Sequence, residues 1–186
     1  MARKKAYIED EVIEKAMNLF WQKGYEATSV RMLEQAMGIN QFSIYSSFGN
    51  KQGVFRASMK CYTDKLQQIV NKLKAAEGKG AIKTYFYDFK QFAKETIGPH
   101  GCLINNTISE LGAATPPETM HEMMSFIKEL TALFMEKLKE DTDADEATLV
   151  KTANYLIISL QGMTLASKVA DDEQLDSFIE MTFTNI

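Results

Sequence analysis

The sequence predicts an all-α protein. Apolar residues recur at three- and four-residue steps along most of the 186-residue chain, and no stretch shows the apolar–polar alternation of a strand. Glycines and capping residues divide this pattern into about nine helices. With 45% apolar and 25% charged residues, the composition is that of a globular protein.

Four helices are predicted in the first 76 residues. Glycines at positions 24, 38 and 49 separate them, because glycine commonly follows the end of a helix. Thr28 and Asn40 are residue types that cap the start of the next helix. The predicted ranges are 8–23, 29–37, 41–48 and 51 to about 76.

Five more helices are predicted after a glycine-containing break at residues 78–80. Pro116 and Pro117 suit a first helical turn, and the polar stretch 140–145 is predicted to be a loop. The predicted ranges are 82–96, 102–111, 116 to about 139, 146–170 and 174–185. We divide the chain into a three-helix head, residues 1–50, and a helical body, residues 51–186.

The composition excludes several classes of protein. Two cysteines cannot form a disulfide framework, the basic N-terminus turns acidic before any apolar core of a signal peptide, and no apolar run approaches the roughly 20 residues that span a bilayer. We therefore expect a cytoplasmic protein without membrane contact. No phosphate-binding glycine loop, metal-binding histidine motif or catalytic triad is visible, so we expect no enzyme activity, cofactor or metal ion.

Charge is distributed unevenly along the chain. The first 60 residues contain 9 Lys and Arg against 6 acidic residues, a balance of +3, whereas the whole chain carries −4. A basic segment on an acidic body indicates a site for a polyanion such as DNA, although a chance fluctuation of a few charges would look the same.

Residues 29–48 have the spacing of a helix-turn-helix. Two short helices are joined by a three-residue turn that contains Gly38. Leu33 and Ile44 are predicted to face inward. The other side of the second short helix carries uncharged groups that suit base edges and phosphates in a major groove: Gln41, Phe42, Ser43, Tyr45 and Ser46. A plain helical hairpin would have the same spacing.

The run from Thr28 to Phe55 resembles the DNA-binding region of the TetR family of bacterial transcriptional repressors, through Gly38-Ile39, Ile44-Tyr45, Phe48 and Lys51 among other positions. The resemblance is specific over residues 8–56, and it implies that Tyr45 and Lys51 contact phosphates. Glu34 departs from the family pattern and is expected near DNA phosphates. The expected DNA-binding residues are Thr28, Arg31, Gln41, Phe42, Ser43, Tyr45, Ser46 and Lys51.

Residues 152–167 contain no charged side chain, and their apolar residues point to more than one side of the predicted helix. Such a helix must be buried on two sides. The second side is covered either by another subunit or by the core of the same chain, and we favour a homodimer. The predicted interface residues are Ala153, Leu156, Leu160, Thr164, Phe178, Ile179 and Thr182.

Aromatic residues between 85 and 92, together with methionines and apolar residues between 120 and 130, suit a ligand pocket, although such stripes are more often plain core. Because the family commonly binds a small effector in the body, the resemblance favours the pocket. The predicted lining residues are Tyr85, Phe89, Phe92, Cys102, Met123 and Ile127.

Cys102 is predicted at a helix N-terminus, where a thiolate is stabilised. Its surroundings also resemble one TetR subgroup, some of whose members respond to electrophiles or oxidants. Lys168 is a cation that could reach it from the long helix. The alternative is that Cys102 is a small buried core residue.

We predict a TetR-like DNA-binding transcriptional regulator, a homodimeric repressor released from double-stranded operator DNA by an unknown small-molecule effector. One alternative is a repressor that senses electrophiles or oxidants through Cys102. Another is a helical binding module or enzyme that does not bind DNA, for which the sequence offers no catalytic group.

Overall fold

The computed structural model describes residues 7–97, 100–184 and 186. Over these residues the chain forms nine α-helices, one short 3₁₀ helix and no strand, which confirms the all-α prediction. The helices are α1 (Glu9–Lys23), α2 (Val30–Met37), α3 (Gln41–Phe48), α4 (Lys51–Ala75), α5 (Gly78–Ile97), α6 (Leu103–Leu111), α7 (Pro117–Lys139), α8 (Glu146–Ala166) and α9 (Asp172–Thr184), with the 3₁₀ helix at Gly112–Ala114.

The first three helices pack around the beginning of α4. Helix α1 lies against α2 and α4, and α3 lies against α2 and α4. Leu33 of α2 and Ile44 of α3 are fully buried, as predicted for their inward faces. The Phe20 ring packs edge-on against Phe55 of α4, with 5.0 Å between ring centroids, and this contact ties α1 to the long helix.

The cap of α2 differs from the prediction. Ser29, not Thr28, is the N-cap, and its hydroxyl oxygen accepts from the Met32 backbone N–H. Thr28 is fully buried and its hydroxyl donates to the Gly24 carbonyl at 2.6 Å. Both residue types are good caps, so the sequence could not decide between neighbouring positions.

The body is a bundle in which α5 packs on α4, α7 and α9, and α8 packs on α7 and α9. Three ion pairs join α5 to α9: Lys83 to Glu180, Lys90 to Asp176 and Lys94 to Asp172. The residue numbers of the acidic partners decrease along α9 as those of the lysines increase along α5, so the two helices run antiparallel.

Helix α5 begins at Gly78, four residues earlier than predicted. Carboxylates from the loop after α7 accept the first backbone N–H groups of the helix: Glu140 from Gly78 at 2.6 Å, and Asp141 from Lys79. These N–H groups have no partner within a helix, so the two carboxylates stabilise a glycine-containing first turn. The Gly78 N–H and Lys137 lower the pKa of Glu140.

Helix α8 ends at Ala166, four residues earlier than predicted, and α9 begins at Asp172. Asp171 and Gln174 form a reciprocal pair at this start: the Gln174 N–H donates to the Asp171 carboxylate at 2.9 Å, and the Asp171 N–H donates to the Gln174 amide oxygen at 3.0 Å. This capping box starts a new helix instead of continuing the old one. The predicted last residue, Asn185, lies outside the described residues.

Helix α4 packs on the head through α1 and α3 and on the body through α5 and α7. A division of the chain at residue 50 therefore stays a prediction. No helix within the described ranges combines the length and hydropathy of a membrane span.

Candidate DNA-binding face and effector cavity

The exposed side of α3 is the predicted one. Gln41, Phe42, Tyr45 and Ser46 are exposed, whereas Ser43 is half-buried. Phe42 is 80% exposed, which is unusual for so large an apolar side chain. The Gln41 amide donates to the Tyr45 hydroxyl at 3.0 Å, so these two groups hold each other in place on the surface. We call these four residues the α3 face.

The turn before α3 is held by two acceptors. Asn40 caps the helix by accepting from the Ser43 N–H at 2.8 Å, as the sequence predicts. The Glu34 carboxylate of α2 accepts from the Gln41 N–H. This bond joins the two helices of the helix-turn-helix. It also gives Glu34 a role inside the motif, beyond the expected proximity to phosphates.

The approach of α3 to α4 depends on Gly53. A Cβ atom at this position would lie 1.8 Å from the Phe48 carbonyl oxygen, so no other residue fits without moving the backbone. Asn50 caps α4 by accepting from the Gly53 N–H at 2.9 Å. The start of α4, including Lys51, is thereby fixed beside the end of α3.

Lys51 lies over an aromatic ring. Its Nζ atom is 4.3 Å from the centroid of the Tyr25 ring, within the range of a cation–π contact. Arg31 is exposed on α2. Two basic residues in the first part of α4 are already paired with carboxylates, Arg56 with Glu118 and Glu122, and Lys60 with Asp64. Arg3, Lys4 and Lys5 lie outside the described residues.

Thr28 does not belong to the exposed face. Because it is fully buried and bonded to the Gly24 carbonyl, its side chain cannot reach DNA in this conformation. Its presence among the predicted DNA-binding residues is corrected here. The threonine shapes the loop between α1 and α2.

The same loop is held by a side chain of the body. Both carboxylate oxygens of Glu110, near the end of α6, accept backbone N–H groups of the loop, from Tyr25 at 2.9 Å and from Glu26 at 2.8 Å. Gly24 has φ +82°, and a Cβ there would lie 2.7 Å from these oxygens, so glycine is required. The role of Glu110 was not predicted, because a single glutamate on an exposed helix side shows no sequence pattern that indicates a backbone partner in the head.

A small cavity lies in the body, between α4, α5, α6, α7 and α8. Its volume is about 40 Å³, far below the 300–1,000 Å³ of typical ligand pockets. Four of the six predicted lining residues are there: Tyr85, Phe89, Cys102 and Ile127. The start of α6 therefore lines the cavity, and the end of α6 holds the head.

Two predicted lining residues lie elsewhere. Phe92 packs against Trp21 and Tyr62, with ring centroids 5.9 Å and 5.8 Å away, and so joins the body to α1. Met123 is fully buried in the core of α7 and does not line the cavity. Helical periodicity predicted that both are buried, but it could not separate the cavity from the surrounding core.

Three of the lining residues, where α6 meets α8, have polar side chains. The Asn105 amide donates to the Thr164 hydroxyl at 2.7 Å, and Gln161 lies beside them. The same three residues line an open groove of about 340 Å³ between α6 and α8. The Asn105–Thr164 bond thus separates the cavity from this groove.

Cys102 is buried at the N-cap of α6, where its Sγ atom accepts from the Tyr62 hydroxyl at 3.3 Å. Burial raises the pKa of the Cys102 thiol, although Tyr62, the N–H groups of Asn105 and Ile104, and Lys168 each lower it in part. The predicted helix N-terminus and the predicted influence of Lys168 are both present. Burial outweighs them, so the thiol is protonated at neutral pH.

Comparison with known proteins agrees with this geometry. Residues 12–58 match the family model of the bacterial regulatory proteins of the tetR family. In this region the chain is similar to the TetR family, and its helix-turn-helix is of the TetR type.

The sequence similarity to known proteins extends beyond the head into the body. The HTH-type transcriptional repressor ComR of Escherichia coli is 26% identical, over 99% of this chain and 90% of ComR. IcaR of Staphylococcus aureus, the negative transcriptional regulator of the biofilm operon icaADBC, is 24% identical over 77% of this chain and 78% of its own. A solved cysteine mutant of the TetR-family regulator CifR, in complex with 26-base-pair operator DNA, has a TM-score of 0.83 at 24% identity, covering 98% of each chain.

The chain is therefore a TetR-like helix-turn-helix regulator of transcription that binds DNA, and the proteins that it resembles are regulators and not enzymes. In the described part of the chain, no three or more His, Cys, Asp or Glu side chains are grouped as metal ligands.

The predicted dimer residues require a correction. Six of the seven are buried within their own chain: Ala153, Leu156, Leu160, Thr164, Ile179 and Thr182. Their side chains pack inside one subunit, so they cannot form a surface for another. Phe178 alone among them is exposed.

A different side of α8 and α9 is apolar and exposed. Ile158 is 67% and Leu165 is 63% exposed, which is far more than such residues usually are. We call this surface the α8–α9 face; it consists of Tyr155, Ile158, Leu165, Val169, Phe178 and Met181. The sequence correctly indicated a helix with two apolar sides but not which side faces inward.

Proposed function

We propose that this TetR-like regulator is a homodimeric repressor whose affinity for its operator falls when a small molecule occupies the cavity of the body. Repression is supported by ComR and IcaR, which are named as a transcriptional repressor and a negative transcriptional regulator. The observation that carries the release mechanism is the pair of hydrogen bonds that backbone N–H groups of the head donate to the Glu110 carboxylate.

The α3 face is the part that reads DNA in this proposal. Gln41 offers an amide for a base edge, Phe42 an apolar surface for a thymine methyl group, and Tyr45 a hydroxyl for a phosphate. Ser46 and the half-buried Ser43 contact the adjacent backbone. Arg31 and Lys51 supply positive charge at the two sides of α3.

The homodimer forms through the α8–α9 face. Two copies of this surface would make a four-helix interface and remove several large apolar side chains from water. An exposed, contiguous apolar surface on a soluble protein usually marks such a contact. Pairing through α8 and α9 also presents two copies of α3, as a symmetric operator requires.

Helix α6 transmits the signal. Its first turn lines the cavity through Cys102, Ile104 and Asn105, and Glu110 in its last turn holds the loop that supports Lys51 through Tyr25. A molecule that widens the cavity displaces α6. Displacement of α6 shifts the head and favours dimers whose two α3 helices no longer fit the operator.

The structure gives less support to the thiol-sensing alternative. Reaction with an electrophile needs the thiolate, and burial raises the pKa of the Cys102 thiol. The Tyr62 hydroxyl is directed at Sγ, so the sulfur is not open to solvent. Cys102 acts as a wall of the cavity in the mechanism that we favour.

Selection from random duplex DNA with the purified protein tests the proposal. We expect enrichment of a two-fold symmetric sequence, with half-sites separated by about one helical turn or a multiple of it. A parallel selection without protein is the control. Enrichment of a single unrepeated half-site would contradict binding as a homodimer.

A further inference from the structure

The cavity in the body has no charged wall. None of the described residues that line it is Asp, Glu, Lys, Arg or His. Lys168 influences the Cys102 thiol but is exposed and lies outside the lining. A charged molecule would lose its hydration on entering the cavity and find no opposite charge, which is strongly unfavourable.

One polar group of the lining is unused. Tyr85 of α5 is only 2% exposed, yet its hydroxyl has no hydrogen-bond partner among the residues that the structure describes. Tyr62, the other tyrosine beside Cys102, donates to the sulfur instead. Burial raises the pKa of the Tyr85 hydroxyl, so it remains a protonated donor at neutral pH. A hydroxyl that lines a cavity gains a hydrogen bond when a ligand places an acceptor oxygen beside it.

We propose that the effector is a small, uncharged, mostly apolar molecule with one acceptor oxygen, and that the Tyr85 hydroxyl donates a hydrogen bond to that oxygen. This inference rests on the proposed function, because it describes the ligand of the same cavity. Aromatic and aliphatic side chains enclose the apolar part of the ligand: Leu66, Phe89, Phe126, Ile127 and Leu130.

The present volume explains why binding changes the conformation. About 40 Å³ cannot hold a ring of five or six carbon atoms, so the walls must separate. The side of the cavity where α6 meets α8 is the part that opens, because Asn105, Gln161 and Thr164 also line the groove between these helices. Opening there breaks the Asn105–Thr164 bond and moves α6, which carries Glu110.

Three probes of similar size and different charge test the proposal: cyclopentanone, cyclopentanecarboxylate and cyclopentylammonium. Binding is measured as the ligand-dependent rise in melting temperature and by calorimetry. We expect saturable binding of cyclopentanone and at least tenfold weaker binding of both ions.

Two matched variants test the role of the hydroxyl. Tyr85→Phe removes only the unpaired hydroxyl, so it should fold as the wild type does and bind cyclopentanone about three- to tenfold more weakly. Tyr87→Phe on the same helix is the control, because the Tyr87 hydroxyl donates to Glu180 outside the cavity. Its affinity for cyclopentanone should not change.

Absence of saturable cyclopentanone binding, equal binding of either ion, or an unchanged affinity in Tyr85→Phe would overturn the ligand class. The affinity of the protein for its selected operator is measured in the same samples. If cyclopentanone binds through Tyr85 but operator affinity is unchanged, the ligand class stands and release by this cavity is wrong.

Discussion

Lys51, for which we propose a phosphate contact, lies beside the loop of the head that the body holds. Lys51 is the first residue of α4, and its ammonium lies 4.3 Å from the centre of the Tyr25 ring. The backbone N–H of Tyr25 donates a hydrogen bond to the Glu110 carboxylate. A cation–π contact of this kind positions the ammonium without neutralising it. Lys51 therefore remains available for a phosphate, and its position depends on the loop beneath it.

Replacing Lys51 with alanine should weaken binding to all DNA sequences and reduce the salt dependence of affinity by about one phosphate contact. The measurement is operator affinity by fluorescence anisotropy at several salt concentrations. Lys74→Ala is the matched control, since Lys74 lies in the last turn of the same helix. An unchanged salt slope in Lys51→Ala would exclude a phosphate contact at this position.

Sequence reasoning was most accurate for residues whose role follows from local pattern. Asn40 as a cap, Leu33 and Ile44 as core, and the exposed α3 side chains were all predictable from helical spacing. The burial of Thr28 was not, because it depends on a hydrogen bond to the Gly24 carbonyl within a folded loop. The raised pKa of Cys102 likewise depends on helices that pack around it from distant parts of the chain.

Among the elements, α6 is the short helix that spans from the cavity to the head. Helix α6 has nine residues, with the cavity wall at its start and the Glu110 carboxylate near its end, so a movement at one end reaches the other without bending. The two bonds of Glu110 join side-chain oxygens to backbone N–H groups more than 80 residues earlier. No local sequence pattern predicts such a pairing.

Glu110→Gln tests this link with little change in volume. An amide has one acceptor oxygen instead of two, so one loop N–H loses its partner and the other loses a charge-assisted bond. We expect hydrogen exchange at the Tyr25 and Glu26 amides to accelerate about tenfold or more, and operator affinity to fall. Both amides are resolved in the same NMR experiment.

Glu129→Gln, on the exposed side of α7, is the control for this change of charge and should leave exchange in the head unaltered. If the Tyr25 and Glu26 amides exchange at the wild-type rate in Glu110→Gln, the loop is held by other contacts. The route from the cavity to the head would then have to avoid Glu110.

At the scale of the whole molecule, the uneven charge and the α8–α9 face act together. The first 60 residues carry +3 within a chain of −4, so the remainder is repelled by DNA and the head is the end that approaches it. The basic segment of one chain, its first 60 residues, offers few free basic groups, because Arg56 and Lys60 already contact acidic side chains. Two heads in one dimer double the number of phosphate contacts.

The last prediction separates the exposed from the buried side of α8. Ile158→Glu places a charge on the α8–α9 face, where a dimer would bury it without a partner. We expect a folded monomer by sedimentation, with near wild-type helicity and much weaker operator binding.

Leu160→Glu, two residues away, puts the same charge into the core of the subunit and should unfold it, because Leu160 is only 6% exposed. Met124→Glu, at an exposed methionine of α7 away from this face, should remain a dimer. A stable Ile158→Glu dimer would exclude the α8–α9 face as the interface and leave the two copies of α3 without the symmetric arrangement on which operator binding depends.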